Sequence, residues 1–455
     1  MLKSRGNGPD WSGPPVRLAP CTPEPKKVLT YFPPSPTVPR FHQGRKAGLT
    51  MNRGNTIPEP RGIRAPAKRI LLVDCDMFYV QVARLEDPDG VGKEDYLLVG
   101  GSPSGRGVVT SASYSVRSFG VRSGMPTVQA LQLCPQARVV PVSRRACAAR
   151  SREVREALEE LSPVVQAASI DEFYLDLSGT ERLFHQEPLE ETAGRVREEV
   201  LKRTEISVSV GGGTRKLIAK LAAGRAKPAG VLVVPAGEEA SFMKTFRLRE
   251  IPGVGPALAE KLRTMGLITV EVLLPVDRVW LDKWLGPSRA LWLWERARGL
   301  DSSRVDPENE RKSVSSERTF HADLTDDGAL ALELLSLVGS VGGILRQKGL
   351  RGRTITVKIR DGDFKTRQAS HTLPDPVESD GTILSVARSL LDELRTRRRT
   401  SVRLLGVGLS SLVEGEGPPQ LELFNGGTSV ESERDRVVSR VLDDIRGRFG
   451  DDVIL

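Results

Sequence analysis

The chain has 455 residues, with 67 Lys and Arg against 58 Asp and Glu and a formal net charge of +9. At roughly 100–200 residues per domain it can hold several cores, and 39% apolar with 27% charged residues is an ordinary globular composition. No run approaches the ~18 apolar residues of a membrane span, no signal-peptide core opens the chain, and Cys21, Cys75, Cys134 and Cys147 form neither a C-x-x-C pair nor a zinc spacing, which argues against an exported disulfide scaffold and for a reducing compartment.

A basic excess conventionally points to nucleic acid, but its position matters more than its size. Residues 1–68 carry 12 basic and 3 acidic residues, so the whole excess lies there and the remaining chain is neutral. That segment also holds 13 of the 31 prolines. With little apolar surface to bury, it is expected to be extended or disordered, either a solvated tail or a weak, salt-sensitive nucleic-acid tether. Residues 311–412 hold 17 basic and 12 acidic residues, and residues 413–455 hold 5 and 10. A basic module followed by an acidic tail suggests one polyanion-facing domain in a larger body.

Order is expected to begin at Arg69. Ile70-Leu71-Leu72-Val73 is a short apolar run of the kind buried on both faces of a sheet. It ends in Asp74-Cys75-Asp76, followed by Met77-Phe78-Tyr79. Ionised carboxylates are costly to desolvate unless paired or bound to a cation, so this end is either solvated or a cation site. Residues 169–177 read Ser-Ile-Asp-Glu-Phe-Tyr-Leu-Asp-Leu. Adjacent residues on a straight strand point to opposite faces, so Asp171 and Glu172 reach one site only from a bend and are expected at a hairpin tip. Two acid-tipped strands suit hard divalent ions, which take oxygen ligands and as a pair serve both oxygens of a phosphoryl displacement.

Val73-Asp74-Cys75-Asp76-Met77-Phe78-Tyr79 together with Ser169-Ile170-Asp171-Glu172 resembles the Y-family DNA polymerases, the translesion enzymes, in their bacterial DNA polymerase IV branch. The resemblance runs from about Arg69 onward. It implies an α+β multidomain right hand: palm and fingers over 69–245, a helical thumb with a helix-hairpin-helix over 246–310, a little finger over 311–412 and an acidic tail over 413–455. It further implies template-directed, error-prone DNA synthesis in damage tolerance, by two-metal-ion nucleotidyl transfer. The implied partners are primer–template DNA, dNTP, the bacterial sliding clamp and two Mg²⁺ ions (Mn²⁺ as the alternative), with no membrane, in a cytoplasmic monomer. Asp74, Asp171 and Glu172 match the metal-binding and catalytic carboxylates, and Cys75 sits where a backbone carbonyl is a further metal ligand. Tyr79 matches the steric gate, a ring packed where a 2′-hydroxyl would project, with Phe78 beside it at the substrate. Asp76 receives no role.

Further along, Tyr114 and Arg117 stand three apart, on one helix face. They resemble the fingers groups that hold the β- and γ-phosphates, for which a guanidinium fork is well shaped. Lys227, in Ala226-Lys227-Pro228, matches the triphosphate lysine; Lys220, seven residues earlier on a similar face, stays open between a site role and a surface charge. Ile251-Pro252-Gly253-Val254-Gly255-Pro256 reads as a helix-hairpin-helix in which Gly253 and Gly255 let amides approach a DNA phosphate. Residues 354–360 alternate: Ile355, Val357 and Ile359 face a core, while Thr356, Lys358 and Arg360 form a basic, DNA-facing surface, with Asp361-Gly362-Asp363 as the hairpin turn. Gln420-Leu421-Glu422-Leu423-Phe424 resembles the clamp-binding peptide, and a helical stretch follows over 437–449. A non-catalytic polymerase-like scaffold bound to the clamp is the alternative function, and a palm-fold nucleotide cyclase a third. The retained Asp74, Asp171 and Glu172 count against the scaffold; the thumb hairpin, little finger and clamp peptide count against the cyclase.

Overall fold

The computed structural model describes residues 67–183, 186–308, 310–414 and 430–450. Residues 1–66 of the basic segment and the clamp-like Gln420, Leu421, Leu423 and Phe424 lie outside the described residues.

The apolar run at Ile70 becomes β1 (Ile70–Cys75), buried along its whole length. It leads into α1 (Phe78–Glu86). A small unit follows: β2 (Leu97–Gly100), β3 (Val109–Ala112), α2 (Tyr114–Arg117), α3 (Thr127–Leu133) and β4 (Arg138–Val140). The chain then returns through α4 (Arg144–Glu159), β5 (Val165–Ala167), β6 (Glu172–Asp176), α5 (Leu189–Thr204), β7 (Val208–Gly213), α6 (Lys216–Ala226) and β8 (Val231–Val233). The central sheet has the order β5-β6-β1-β7-β8, and the small one β3-β2-β4. Strand β1 is antiparallel to both neighbours. Its alternate residues feed two layers, as a period of two requires. Leu71, Val73 and Cys75 join α1, α4 and α5 in one core. Ile70 and Leu72 meet Ala219 and Ala223 of α6 in the other.

Helices α7 (Glu239–Lys244), α8 (Pro256–Thr264), α9 (Val270–Leu273), α10 (Arg278–Leu285) and α11 (Pro287–Ala297) share a core with Met243, Leu262, Leu281 and Leu293. Trp292 and Trp294 pack against it, so they serve the thumb-like core rather than a stacking platform. The C-terminal module comprises β9 (Ser313–Leu324), α12 (Asp327–Gln347), β10 (Leu350–Asp361), β11 (Thr366–Val377), α13 (Asp380–Arg397) and β12 (Val402–Glu414), with the antiparallel order β11-β10-β12-β9. Ile355, Val357 and Ile359 are fully buried in its core, and Thr356, Lys358 and Arg360 occupy the alternate, half-buried positions.

One expectation changes here. Helix α12 is long and apolar enough to cross a membrane by length and composition, with a window of mean hydropathy 1.8. It is not one unbroken apolar run, because Glu333, Ser336 and Ser340 interrupt it. Its Leu330, Leu334, Leu337, Val341 and Leu345 are buried against the sheet, which makes its hydropathy that of a core helix. Asp361 opens the expected turn, its carbonyl accepting the Phe364 amide at 2.9 Å, but its side chain is not at the surface. It ends β10 fully buried and accepts from Arg367 at 2.9 Å and Arg398 at 2.8 Å. The reversal itself falls at 362–365, with Phe364 at φ +66°.

Beyond β12, α14 (Glu433–Phe449) rests on α12 and α13 through polar contacts. Arg346 donates to Asp443 at 2.6 and 2.7 Å and to Asp380 at 2.8 Å. Glu431 accepts from the amides of Glu378 and Ser379 at the start of α13. The expected C-terminal helix is thus docked on the module.

Burial alone would raise the pKa of Asp361, but the Arg367 hydrogen bond and the Arg367 and Arg398 charges hold it below the usual carboxylate range. A depressed folded pKa gives stability that is present above the unfolded value and is lost as pH falls through the folded one. Asp361→Asn leaves two arginines facing an amide and is expected to lower stability by about 2–3 kcal/mol at neutral pH. Calorimetry should also show a shallower loss on acidification than in the unsubstituted protein; identical acid slopes would contradict this account.

Candidate active site

Strands β1 and β6 set Asp74 directly opposite Glu172. Opposed residues of an antiparallel pair share a face, with Cβ atoms about 4.5–5.5 Å apart. Two acids from distant parts of the chain therefore stand side by side. The alternation also decides which face. Ile70 and Leu72 on β1 and Tyr174 on β6 pack with α6, and Asp74 and Glu172 continue those rows. Helix α6 can lie this close because Gly211 of β7 has no side chain; a Cβ there would sit 2.0 Å from the Ala223 amide nitrogen.

Helix α6 brings two ammonium groups. Lys220 donates to both Glu172 oxygens, at 2.7 and 2.6 Å. Lys227, at the end of α6, donates to Asp74 Oδ1 at 2.6 Å. Lys220, left open by the sequence, thus lies against Glu172 rather than at a free surface. Its seven-residue spacing from Lys227 was the available signal, but a shared helix face does not say what the face meets.

Asp171 lies in the bend just before β6, as the adjacent-acid argument expects. Its backbone oxygen accepts the Cys75 amide at 2.9 Å, and its carboxylate accepts the Ser169 hydroxyl at 2.5 Å. Burial pushes Asp74 up to about 6; Lys227 opposes this, and the charges of Glu172 and Asp171 add to it. The acids here exceed the cations that neutralise them. For the divalent ions implied by the family resemblance, an all-oxygen set with excess negative charge is the appropriate chemistry, so the residues fit. Among the described residues no three Asp, Glu, His or Cys side chains form a ready metal cage; each of the three carboxylates is engaged by Lys220, Lys227 or Ser169 instead. The Cys75 thiol is buried and pushed well above its ordinary pKa by that burial and by neighbouring acids. As an inert thiol it can offer only its carbonyl.

Tyr79 stands half-buried on α1, its ring edge-to-face with Phe78 at 5.6 Å. The expectation for Phe78 itself is corrected. Its side chain is 1% exposed, within the core that holds Leu71 and Val73, so it cannot touch a substrate and instead backs the Tyr79 ring. Tyr114 and Arg117 share α2 as expected. The guanidinium lies 5.0 Å from the Tyr114 ring centroid, and Arg117 Nε donates to the Ala112 carbonyl at 2.9 Å. Burial, and then the Asp76 charge, raises the Tyr114 pKa far above the neutral range, so its hydroxyl is a protonated donor.

In the helical module Gly253 adopts φ +99°, and a Cβ would meet the Trp292 ring at 2.6 Å. Gly255 caps α8 ahead of Pro256. Both hairpin glycines lie where the motif puts them, one of them enforced by packing. On the C-terminal sheet Lys358 is paired with Glu317. Gly406 lies between them in register and leaves the space open. Arg360 Nε donates to Thr366 at 3.0 Å.

These modules coincide with known families. Residues 73–224 match the impB/mucB/samB family, 236–267 the IMS family HHH motif, and 311–423 the impB/mucB/samB family C-terminal domain. The DNA polymerase IV of Caulobacter vibrioides is 36% identical over 379 residues, covering 83% of this chain and 91% of that protein. A chimera of the Y-family DNA polymerases Dbh and Dpo4 is similar in structure, with TM-score 0.69 at 28% identity, covering 76% of this chain and 100% of the chimera. An insertion ternary complex of Dbh DNA polymerase is similar over the same shares, with TM-score 0.55 at 28% identity. Carboxylate strands, hairpin module and C-terminal sheet thus occur together in one known arrangement, and the chain belongs to the impB/mucB/samB family of Y-family DNA polymerases, with DNA polymerase IV relatives, as a DNA-directed DNA polymerase of right-hand fold.

Proposed function

We propose that this polymerase performs translesion extension of a primer on template DNA by two-metal-ion nucleotidyl transfer, and that it works on the sliding clamp in a bacterial cytoplasm. The observation that carries the chemistry is the cross-strand pair Asp74 and Glu172, with an ammonium group on each. The similarity to a ternary polymerase complex supports primer–template and nucleotide as substrates. In this reading residues 69–245 are palm and fingers, 246–310 the thumb, 311–412 the little finger and 413–455 the tail.

Asp74, Asp171, Glu172 and the Cys75 carbonyl would hold two Mg²⁺ ions, or Mn²⁺ in their place. Such ions, when bound, lower the pKa of an attacking hydroxyl and stabilise charge developing on a phosphate. Arg117, Tyr114 and Lys227 would grip the β- and γ-phosphates, leaving the α-phosphate in line with the primer 3′-hydroxyl. That hydroxyl would pass its proton to water and bond to the α-phosphorus, while the bond from the α-phosphorus to the bridging oxygen breaks and pyrophosphate leaves with that oxygen. Tyr79, held edge-on by Phe78, would close the space a 2′-hydroxyl needs. The Gly253 and Gly255 hairpin and the Lys358 and Arg360 face would contact the duplex backbone, which positions without reading sequence. The ion pair of Lys358 with Glu317 would exchange for a phosphate contact when DNA binds.

Asp171→Ala and Glu172→Ala should each abolish Mg²⁺-dependent primer extension while duplex affinity, read by fluorescence anisotropy, changes little; extension at the normal rate would remove the metal assignment. Tyr79→Ala should raise ribonucleotide incorporation by about two orders of magnitude, the loss of a few kcal/mol of discrimination. Unchanged sugar preference in a competition assay would remove the gate. Ala at both Leu423 and Phe424 should weaken capture of the clamp without altering extension on a short primer. Equal capture would return that peptide to an unassigned segment.

A further inference from the structure

Asp76 was left without a role by the sequence, and its surroundings supply one. It is 2% exposed, two residues beyond Asp74 and just past the end of β1. Oδ1 accepts from the Tyr114 hydroxyl at 2.9 Å and the Ser209 hydroxyl at 2.8 Å. Oδ2 accepts from the Ser207 hydroxyl at 3.2 Å and the Ala229 amide at 2.8 Å. A carboxylate has about four lone-pair sites, and all are used. Ser207, just ahead of β7, and Ser209 on it bring both hydroxyls to the one carboxylate. Gln81 closes the cluster: its amide nitrogen donates to the Ser207 carbonyl at 2.9 Å and its oxygen accepts the Ser207 amide at 2.7 Å.

A carboxylate saturated in this way has no oxygen left for a metal. Its neighbours are the informative part. Tyr114 belongs to α2 of the small sheet unit. Ala229 belongs to the loop that carries Lys227 out of α6. Tyr114 and the loop that carries Lys227 thus come from separate parts of the fold and meet on one buried anion, the loop through its Ala229 amide while Lys227 itself pairs with Asp74. The backbone around it is also constrained. Met77, next in sequence, has φ +40°, and Ala229, whose amide donates, has φ +53°. Such left-handed non-glycine residues persist only where their surroundings over-determine them, and they cluster at functional sites.

We propose that Asp76 is a positioning residue that fixes the Tyr114 ring and the Lys227–Ala229 loop at the correct separation for the nucleotide's phosphates. This rests on the assignment of Tyr114 and Lys227 to the triphosphate. A phenol has a single proton, so Tyr114 gives up its bond to Asp76 when it donates to a phosphate. The bond orders the ring before the nucleotide arrives and is exchanged on binding.

The test is steady-state primer extension with dNTP and Mg²⁺ titrated separately. Asp76→Ala removes four charge-assisted bonds and should raise the dNTP KM about tenfold or more, with kcat and the Mg²⁺ midpoint within about threefold. Asp76→Asn should restore most of the KM. Its oxygen can serve Ala229 and Ser207, while its amide donates to Tyr114 and Ser209, whose hydroxyls can turn. Combining Asp76→Ala with Tyr114→Phe should raise KM by less than the product of the single effects, since both break one bond. A displaced Mg²⁺ midpoint in Asp76→Asn would make Asp76 a metal ligand and overturn the proposal, and this variant, with the same shape and partners, decides the matter should Asp76→Ala not fold. An unchanged dNTP KM in Asp76→Ala would overturn it too. If Tyr114→Phe and Lys227→Ala themselves leave KM unchanged, the underlying phosphate assignment fails instead, which separates the two failures.

Discussion

The structure turns on one carboxylate at the end of a buried strand. Asp74 sits on β1 where every neighbour along the strand is apolar and buried. Burial there disfavours the ionised form, and the adjacent acids disfavour it further. A charge in that position is retained only with a partner. Lys227 is the partner in this structure, and the excess of acids leaves the site suited to additional positive charge. The rest of the central module serves that arrangement: β6 brings Glu172 level with Asp74, Gly211 admits α6, and α6 supplies the lysines.

The same logic separates two aspartates that look equivalent in the sequence. Asp74 and Asp76 alternate in the sequence, but β1 ends at Cys75 between them; Asp74 has one close ammonium and Asp76 has four neutral donors. A neutral donor set satisfies a carboxylate without cancelling its charge and leaves no lone pair for a cation. In the proposed reading the first would take up a metal ion, and the second would hold the scaffold around it.

Away from this centre, charge is used differently. The buried arginine–carboxylate contacts of Asp361 and Arg346 hold the C-terminal sheet turn and the docked α14. Lys358 is instead paired near the surface of the sheet, where such pairs are worth little and can be exchanged for a phosphate at small cost. Arg106 joins the loop of the small sheet to the C-terminal module, pairing with Asp323 at 2.6 Å. The net charge of +9 describes none of this, because it belongs to the N-terminal segment.

Much of this protein could be read from its residues. The apolar run ending in acids, the bend at Asp171, the Tyr114–Arg117 helix face, the hairpin glycines and the alternation of Ile355, Val357 and Ile359 are local patterns. A strand's period of two and a helix's period of 3.6 determine them without knowledge of what lies opposite. What only the tertiary structure decided depends on partners far along the chain. Phe78 and Tyr79 are adjacent aromatics, and only packing shows that one is buried in the core and the other half-exposed beside it. Asp361 reads as an exposed turn residue until Arg367 and Arg398 are brought against its buried carboxylate. Helix α12 reads as apolar until a sheet covers it. Lys220 reads as a surface charge until β6 sets Glu172 beneath it. The sequence specifies which face a side chain takes; contacts between segments a hundred residues apart specify what that face meets, and the desolvation of those contacts gives each charge its role.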